Sequence, residues 1–318
     1  MTAVGAHDRN PPVVFDIKAP QITESSSLVL STAHRGLVYT ANDSGDTATI
    51  YVLDAGTGAL VGRTSLAGVD AVDVEAMSAG AGGTLVVADI GDNGEARSQV
   101  QLYRLAQPTR GAHVVDADVV SLTYPDGPRD AESVVYDSLG GRAYVVSKEA
   151  SAHVYATPPD VFTRSAVQLR RIAPGPSVAT DATMLPDGHH VVVRTYVAAT
   201  TYRFPSWRTT ASFPLPLQPQ GESVAAPPGD RAIWIGTEGS GSEVLRVRLP
   251  VQPPHEQQST APPAPSSSSA TSTAQTAADN ERRHRLRDLA TMVLIGAAFA
   301  LALVAGVLGW RAVHHSAR

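Results

Sequence analysis

The stretch DAESVVYDSLGGRAYVVSK, residues 130–148, holds one complete unit of a pattern that this chain repeats. An acidic residue, Glu132, precedes a small residue and an apolar run. A Gly-containing turn at 139–141 then leads to a second apolar run with a polar end. Glycine supplies the positive φ of a tight turn, so the unit predicts a β-hairpin.

The acidic residue and its small neighbour recur at intervals of 51, 57, 49 and 41 residues. Such spacing is typical of the blades of WD40-like propellers. Third strand-like runs follow in all five units, and fourth ones in the first four. The pattern predicts an all-β, five-bladed β-propeller with four strands per blade. The five acids are Glu24, Glu75, Glu132, Asp181 and Glu222.

The fifth unit reaches Pro250 without a fourth strand. The alternating segment 13–18, at the other end of the repeats, predicts the missing strand and would close the ring within the last blade. Radial closure of this kind leaves only short, protected strand edges. A six-bladed ring and an open sandwich are the alternative folds.

Composition divides the chain into segments outside the repeats as well. Residues 251–280 are rich in Pro, Ser, Thr and Ala, which predicts a flexible linker. Residues 289–310 carry no charge, and about 20 apolar residues span a bilayer as a helix. The predicted segments are a disordered N-terminus (1–12), the propeller (13–250), the linker (251–280), an Arg-rich flank (281–288), one transmembrane helix (289–310) and a short tail (311–318).

The chain is therefore predicted to be a single-pass protein of the cell membrane. The arginines of 281–288 favour the cytoplasm for the propeller, as does the absence of a signal peptide from residues 1–12. A Pro/Ser/Thr-rich stalk before an anchor favours the outside. The side of the membrane stays open.

Charge and composition exclude several classes of function. The formal net charge of −5 argues against a nucleic-acid-binding protein, which needs a basic surface. The absence of cysteine excludes thiolate metal sites and cysteine nucleophiles. No phosphate-binding loop or dinucleotide fingerprint occurs, and no catalytic residue is predicted.

In a propeller, the first strands line the central channel, so the five acids are predicted to form a ring. Carboxylates that face one another are unfavourable unless they are hydrogen-bonded, neutralised or protonated. A cation could neutralise them, or the basic residues Lys148 and Arg194 could pair with them. In a third interpretation, each acid accepts backbone N–H bonds and is purely structural.

Two acidic, Gly-containing loops follow the second strands of units one and two. Side-chain and carbonyl oxygens in such loops can bind a hard cation, which predicts a calcium site, although neither loop has EF-hand spacing. The candidate metal ligands are Asn42, Asp43, Asp46, Asp89, Asp92 and Asn93.

The remaining candidates combine acids with bases, which predicts an anionic ligand or a protein partner on this face. The candidate ligand-binding residues are Glu24, Glu75, Glu132, Lys148, Asp181, Arg194, Glu222 and Glu238.

An ordered set of motifs between about Ile22 and Arg248 resembles a group of bacterial propeller proteins. The motifs are Asn42-Asp43-Ser44-Gly45-Asp46, Asp73-Val74-Glu75, Ala88-Asp89-Ile90-Gly91-Asp92-Asn93, Pro125-Asp126-Gly127, Asp130-Ala131-Glu132 and Gln220-Gly221-Glu222. The resemblance implies a propeller that is exported or membrane-bound, in a group mostly without assigned function. The chain is more loosely similar to propeller phytases, which implies calcium in an acidic channel and cleavage of phosphate esters.

The sequence thus predicts a membrane-anchored propeller that binds a ligand or partner on its acidic face, with calcium. A calcium-dependent, phytase-like phosphoesterase is the first alternative. A protein-interaction scaffold with purely structural acids is the second.

Overall fold

The computed structural model describes residues 11–43 and 48–250. Residues 1–10 and the predicted linker, flank, membrane helix and tail lie outside the described residues. The helical segments in the described part are two short 3-10 turns, Ala81–Gly83 and Val161–Thr163. No helix there is both long enough and apolar enough to cross a bilayer.

The described strands form five sheets, which are the five blades of a β-propeller. Blade one contains β2 (Val29–Leu30), β3 (Leu37–Thr40), β4 (Thr49–Asp54) and β5 (Leu60–Leu66). Blade two contains β6 (Val74–Gly80), β7 (Thr84–Asp89), β8 (Val100–Ala106) and β10 (Asp118–Thr123). Blade three contains β11 (Ala131–Asp137), β12 (Arg142–Ser147), β13 (His153–Ala156) and β15 (Arg170–Pro174). Blade four contains β16 (Ala179–Met184), β17 (His190–Thr195), β18 (Ala198–Arg203) and β19 (Arg208–Pro214). Blade five contains β20 (Gly221–Ala225), β21 (Ala232–Thr237), β22 (Glu243–Arg248) and β1 (Val13–Asp16).

The predicted closure of the ring is confirmed. Strand β1 pairs antiparallel with β22, with Val13 opposite Leu245 and Asp16 opposite Glu243. The innermost strands β2, β6, β11, β16 and β20 contact one another in ring order, and β2 contacts both β6 and β20. The N-terminal strand is therefore the outer strand of the last blade, as the alternating pattern indicated.

Two further strands extend the outer edges of blades one and two. Strand β9 (Gly111–Val115) lies parallel to β5, and β14 (Ala166–Gln168) lies parallel to β10. Both belong to connections between the third and fourth strands of the following blade. The fourth strand-like run of unit three, residues 167–172, is not one continuous strand, because the chain divides at Leu169 between β14 and β15. Each added strand satisfies backbone groups that an edge strand leaves unpaired.

Five hydrophobic clusters hold the blades together, one at each interface between neighbouring blades. Successive strand residues point to opposite faces of a sheet. Val134 therefore packs between blades two and three, while Val135 packs between blades three and four. Because both faces of a blade are buried, its inner strands are apolar without interruption, as in Ala143–Val146.

Candidate functional site

The innermost strands begin at one face of the ring, here called the entrance face. At this end of β6, Val74 lies opposite Asp89 and Ala76 lies opposite Ala88, so Glu75 is an extra residue in a β-bulge. Glu132 occupies the same place in β11, and the register of β20 shifts across Glu222. A bulge redirects a side chain out of the regular strand ladder. These three glutamates are buried, and each is 3–4% exposed.

Blades one and four differ from the prediction of five equivalent acids. In β16 the register shifts across Thr180, so Asp181 lies one position further along, opposite Arg194. In blade one, Ser25 lies opposite Asn42, which places Ser26 at the bulge position and exposes Glu24 to solvent. The structure therefore separates Glu24 and Asp181 from the other three acids, and spacing in sequence does not show such a one-residue shift in pairing.

Asp181 is part of the architecture of the ring. Its Oδ1 accepts the N–H of Ala182, and its Oδ2 accepts the N–H of Val224 in blade five, both at 2.8 Å. Burial raises the pKa of Asp181 well above its usual range, while these hydrogen bonds lower it. The side chain therefore joins blades four and five instead of facing the entrance.

Arg194 is also structural. It is fully buried and donates to the carbonyl oxygens of Ser223 at 2.7 Å and Gly236 at 2.6 Å. Burial lowers the pKa of Arg194 to about 10, so the guanidinium stays charged at neutral pH. A Cβ on Gly221 would lie 2.0 Å from Arg194 Nη2, which explains the glycine before Glu222.

Most of the predicted metal ligands form hydrogen bonds or ion pairs with neighbouring protein groups. Asn42 Oδ1 accepts the N–H groups of residues 23 and 24. Asp89 accepts the N–H of Asp73 at 2.9 Å and pairs with Arg97 at 2.7 Å. Asp92 accepts the N–H groups of residues 96 and 97. Asn93 is exposed, and Asp46 lies outside the described residues.

The sixth predicted ligand, Asp43, belongs to a different cluster of acids between blades one and two. Asp43, Asp73 and Glu75 each offer one carboxylate oxygen, and these oxygens lie within 4.8 Å of one another. Asp73 and Glu75 are 8% and 3% exposed. Asp73 Oδ1 and Glu75 Oε1 accept no hydrogen bond from the described residues. These three acids are called the carboxylate cluster below.

Gly91 makes room for the carboxylate cluster. A Cβ at Gly91 would lie 2.3 Å from Asp73 Oδ2 and 2.8 Å from Glu75 Oε1. The N–H of Gly91 also donates to the carbonyl oxygen of Asp73 at 3.2 Å. Asp73 and Gly91 are not among the site residues predicted from the sequence. The sequence feature that could have indicated Asp73 is the Asp-x-Glu spacing at 73–75, which recurs at 130–132.

The electrostatics of the cluster are those of crowded, desolvated acids. Burial and a hydrogen bond with Asp43 raise the pKa of Asp73 to about 7, although Arg97 lowers it. Burial and the neighbouring Glu132 raise the pKa of Glu75 well above its usual range. Desolvation and like charges both disfavour ionised carboxyl groups. A proton or a cation would therefore stabilise this arrangement.

The other side of the entrance face contains a buried ion pair. Lys148 contacts Glu132 and lies 5.4 Å from the centre of the Tyr196 ring. Burial lowers the pKa of Lys148, but the charges of Glu132 and Glu222 raise it overall. Burial and the charge of Glu222 raise the pKa of Glu238 to about 8. Acids outnumber bases here, because the cation Lys148 lies among Glu132, Glu222 and Glu238 and is already paired with Glu132.

The contacts divide the eight predicted ligand-binding residues into two groups. Asp181 and Arg194 stabilise the junction of blades four and five. The others lie at the entrance face, and they are Glu24, Glu75, Glu132, Lys148, Glu222 and Glu238. The phosphoesterase alternative requires acids and bases of this face to converge on one substrate, namely Asp43, Asp89, Asp92, Glu132, Lys148 and Arg194. However, Asp89 pairs with Arg97 and Asp92 accepts a backbone N–H. Arg194 donates to a backbone carbonyl oxygen.

Comparison with protein-family models finds no match, and comparison with curated protein sequences finds none. Among solved structures, the chain is similar to one described as the structure of the Dos1 propeller. The TM-score is 0.39 and the sequences are 12% identical. The match covers 72% of this chain and 59% of that one. The assignment of five blades rests on the hydrogen-bonded sheets described above.

The different roles of the acids predict opposite effects of amidation. Asp181→Asn places an amide donor against a buried N–H, which we expect to lower the free energy of unfolding by about 1–3 kcal/mol. Burial and neighbouring acids disfavour the ionised form of Glu75 and raise its pKa, so Glu75→Gln should leave stability unchanged or raise it at pH 8 in chelator. Urea unfolding measures both. Equal destabilisation by the two variants would contradict this division.

Proposed function

We propose that this propeller is a binding module whose carboxylate cluster holds a divalent cation, Ca²⁺, between blades one and two. The observation that carries the proposal is the convergence of three carboxylates within 4.8 Å, two of them with buried oxygens that accept no hydrogen bond from the described residues. Buried polar atoms almost always have a partner. A cation would supply the partner for both oxygens at once.

The donor set suits calcium. Hard cations prefer carboxylate oxygens, and Ca²⁺ accepts six to eight ligands in flexible geometry. Three carboxylates, each binding through one or two oxygens, supply about three to six of these, and water would complete the shell. Mg²⁺ demands a smaller and more regular octahedron, which side chains from two separate blades are less suited to build.

Bound calcium would also act on the fold. Asp43 follows the second strand of blade one, whereas Asp73 and Glu75 lie at the start of blade two. A cation shared by these residues would connect neighbouring blades and offset the repulsion among their charges. The proposed module would therefore be more rigid at its entrance face in the presence of calcium.

Calcium should raise the melting temperature of the full-length chain in mild detergent. A ligand that binds only the folded state stabilises by about 2.7 kcal/mol at one hundred times its Kd, which is roughly 5–10 °C for a domain of this size. Magnesium should have a smaller effect.

Asp73→Asn and Glu75→Gln should each abolish most of the calcium-dependent shift. Asp116→Asn is the matched control, because Asp116 is exposed beside Gly82 and Thr84 on the opposite face. A calcium shift that survives in both cluster variants would place the cation elsewhere. No shift in the unmodified chain would refute the proposal.

The raised pKa values predict how stability depends on pH without a cation. The pKa of Asp73 is about 7 and that of Glu238 about 8 in the folded chain, against roughly 4 when unfolded. The folded chain then binds more protons between about pH 4 and pH 8, so its stability falls as pH rises through this window.

The charges that act on Asp73 are those of Asp43, Asp130 and Arg97. In chelator, the melting temperature should fall from pH 5 to pH 8. Calcium should restore it at pH 8 and change it little at pH 5, where protons occupy the carboxyl groups. A melting temperature that rises over this interval in chelator would contradict the assigned pKa shifts.

Attachment of the module to a membrane through residues 289–310 stays a prediction from the sequence. We expect the full-length chain to sediment with membranes and to resist extraction by alkaline carbonate, whereas detergent should release it. A chain that ends at residue 288 should appear in the soluble fraction. Release of the full-length chain by carbonate would contradict the anchor.

A further inference from the structure

A cavity of about 410 Å³ lies between blades four and five, at the face of the ring opposite the entrance face. The turns that follow the inner strands β16 and β20 form part of its wall, together with the residues after β22. The apolar residues that line the cavity are Leu185, Pro186, Ala211, Leu249 and Pro250. Mostly apolar walls with a few polar groups are typical of sites for small molecules.

Three basic residues form a row across blade four beside this cavity. His190 of β17 lies opposite Arg203 of β18, and Arg203 lies opposite Arg208 of β19. Residues directly opposite each other share a face of the sheet, with Cβ atoms about 4.5–5.5 Å apart. His190 lines the cavity, and so does Thr201, which lies on the same face two residues before Arg203. The two arginines are therefore placed at the mouth of the cavity.

Arg203 and Arg208 bring two positive charges together without an acid that neutralises them. Both are exposed, and neither forms an ion pair within the described part of the chain. Like charges directly opposite in a sheet are destabilising. The turn between them is nevertheless well anchored, because the N–H of Trp207 donates to the carbonyl oxygen of Arg203 at 2.8 Å. The Trp207 ring packs on the other side of the blade, against Tyr144 and Tyr202.

The acids that line the cavity already have partners. Burial raises the pKa of Asp187, but its hydrogen bonds with His190 and with backbone N–H groups lower the pKa overall. The Nδ1 of His190 lies 2.7 Å from Asp187 Oδ2. Asp230 accepts two hydrogen bonds from the Arg246 guanidinium. Arg231 also lines the cavity, and it forms no ion pair with any residue that the structure describes. Positive charge is therefore in excess at this cavity.

We infer that this cavity binds a phosphate monoester, with its apolar body inside the cavity and its phosphate between Arg203 and Arg208. A guanidinium presents its N–H donors as a planar fork that matches phosphate geometry. A phosphate monoester carries a charge of about −1.5 to −2 at pH 7, which balances the two unpaired arginines. A carboxylate or a sulfate ester carries a single negative charge and would leave one arginine uncompensated.

This inference goes beyond the calcium proposal, because the cavity and the carboxylate cluster lie on opposite faces of the ring and share no residue. It predicts three contributions to binding, namely the double charge of the phosphate, the paired arginines and the apolar body of the ester. Each contribution can be removed by itself, either from the ligand or from the protein.

The test measures binding of phenyl phosphate to the full-length chain by isothermal titration calorimetry, in mild nonionic detergent with chelator. Micelles without protein give the blank. Phenyl sulfate keeps the ring but carries one negative charge, and it should bind about tenfold more weakly. Inorganic phosphate lacks the ring that would enter the cavity, and it should also bind about tenfold more weakly.

A phosphate monoester can be a soluble metabolite or the headgroup of a lipid, and dihexanoyl phosphatidate distinguishes these sources. If it displaces phenyl phosphate at a lower concentration than phenyl phosphate itself requires, the result supports a lipid as the ligand. If it displaces phenyl phosphate only at a higher concentration, the result supports a soluble ester.

Variants of the protein locate the site. Arg203→Gln and Arg208→Gln should each weaken binding of phenyl phosphate by about tenfold. Each should also leave the melting temperature without ligand unchanged or raise it, because the repulsion between the two arginines is removed. Arg35→Gln is the matched control and should bind normally, since Arg35 is exposed in the turn after β2 of blade one. Ala211→Phe fills the cavity without a change of charge and should weaken binding. Circular dichroism melting checks that each variant is folded.

Three results would overturn the inference: equal binding of phenyl phosphate and phenyl sulfate, equal affinity of the Arg35→Gln and Arg203→Gln variants, or no saturation at millimolar phenyl phosphate. Equal affinity for inorganic phosphate and phenyl phosphate would also overturn it, and would indicate that the cavity takes no part. Since calcium is absent from this experiment, its failure is distinguishable from a failure of the calcium proposal.

Discussion

The antiparallel pairing of β1 with β22 imposes closure on the ring, and closure decides where every inner strand lies. Once five twisted sheets pack face to face in a ring, their innermost strands meet around one axis. The chain achieves this with a hydrophobic cluster at each blade interface. The entrance ends of these strands, with the acids they carry, are then forced close together and away from water.

The crowding of carboxylates at the entrance face is resolved in different ways in different blades. Asp181 accepts two backbone N–H bonds, and Glu132 contacts Lys148. Asp73 and Glu75 retain oxygens without donors, and their pKa values rise accordingly. The β-bulge explains the difference, because a shift of one residue moves an acid from the cluster into the blade interface. The carboxylates of Asp73 and Glu75, which these structural partners do not neutralise, thus remain as the candidates for binding.

The entrance face is consequently asymmetric. Blades one and two carry the carboxylate cluster, which suits a small hard cation. The Glu132–Lys148 pair in blade three adds no net charge. The five-fold repeat is a framework, and the departures from it make the entrance face asymmetric.

The sequence by itself determined the all-β class, the number of blades and the closing strand, because hydrophobic alternation, turn residues and repeat length are local properties. It also indicated that the acids of the repeat lie on one face. It did not show strands β9 and β14, whose parallel pairing joins residues about 50 positions apart. Only the tertiary structure decided which acids face the entrance and which brace the ring. That outcome depends on bulges, on the space beside Gly91 and on hydrogen bonds from neighbouring blades, and these exist only once the ring has closed.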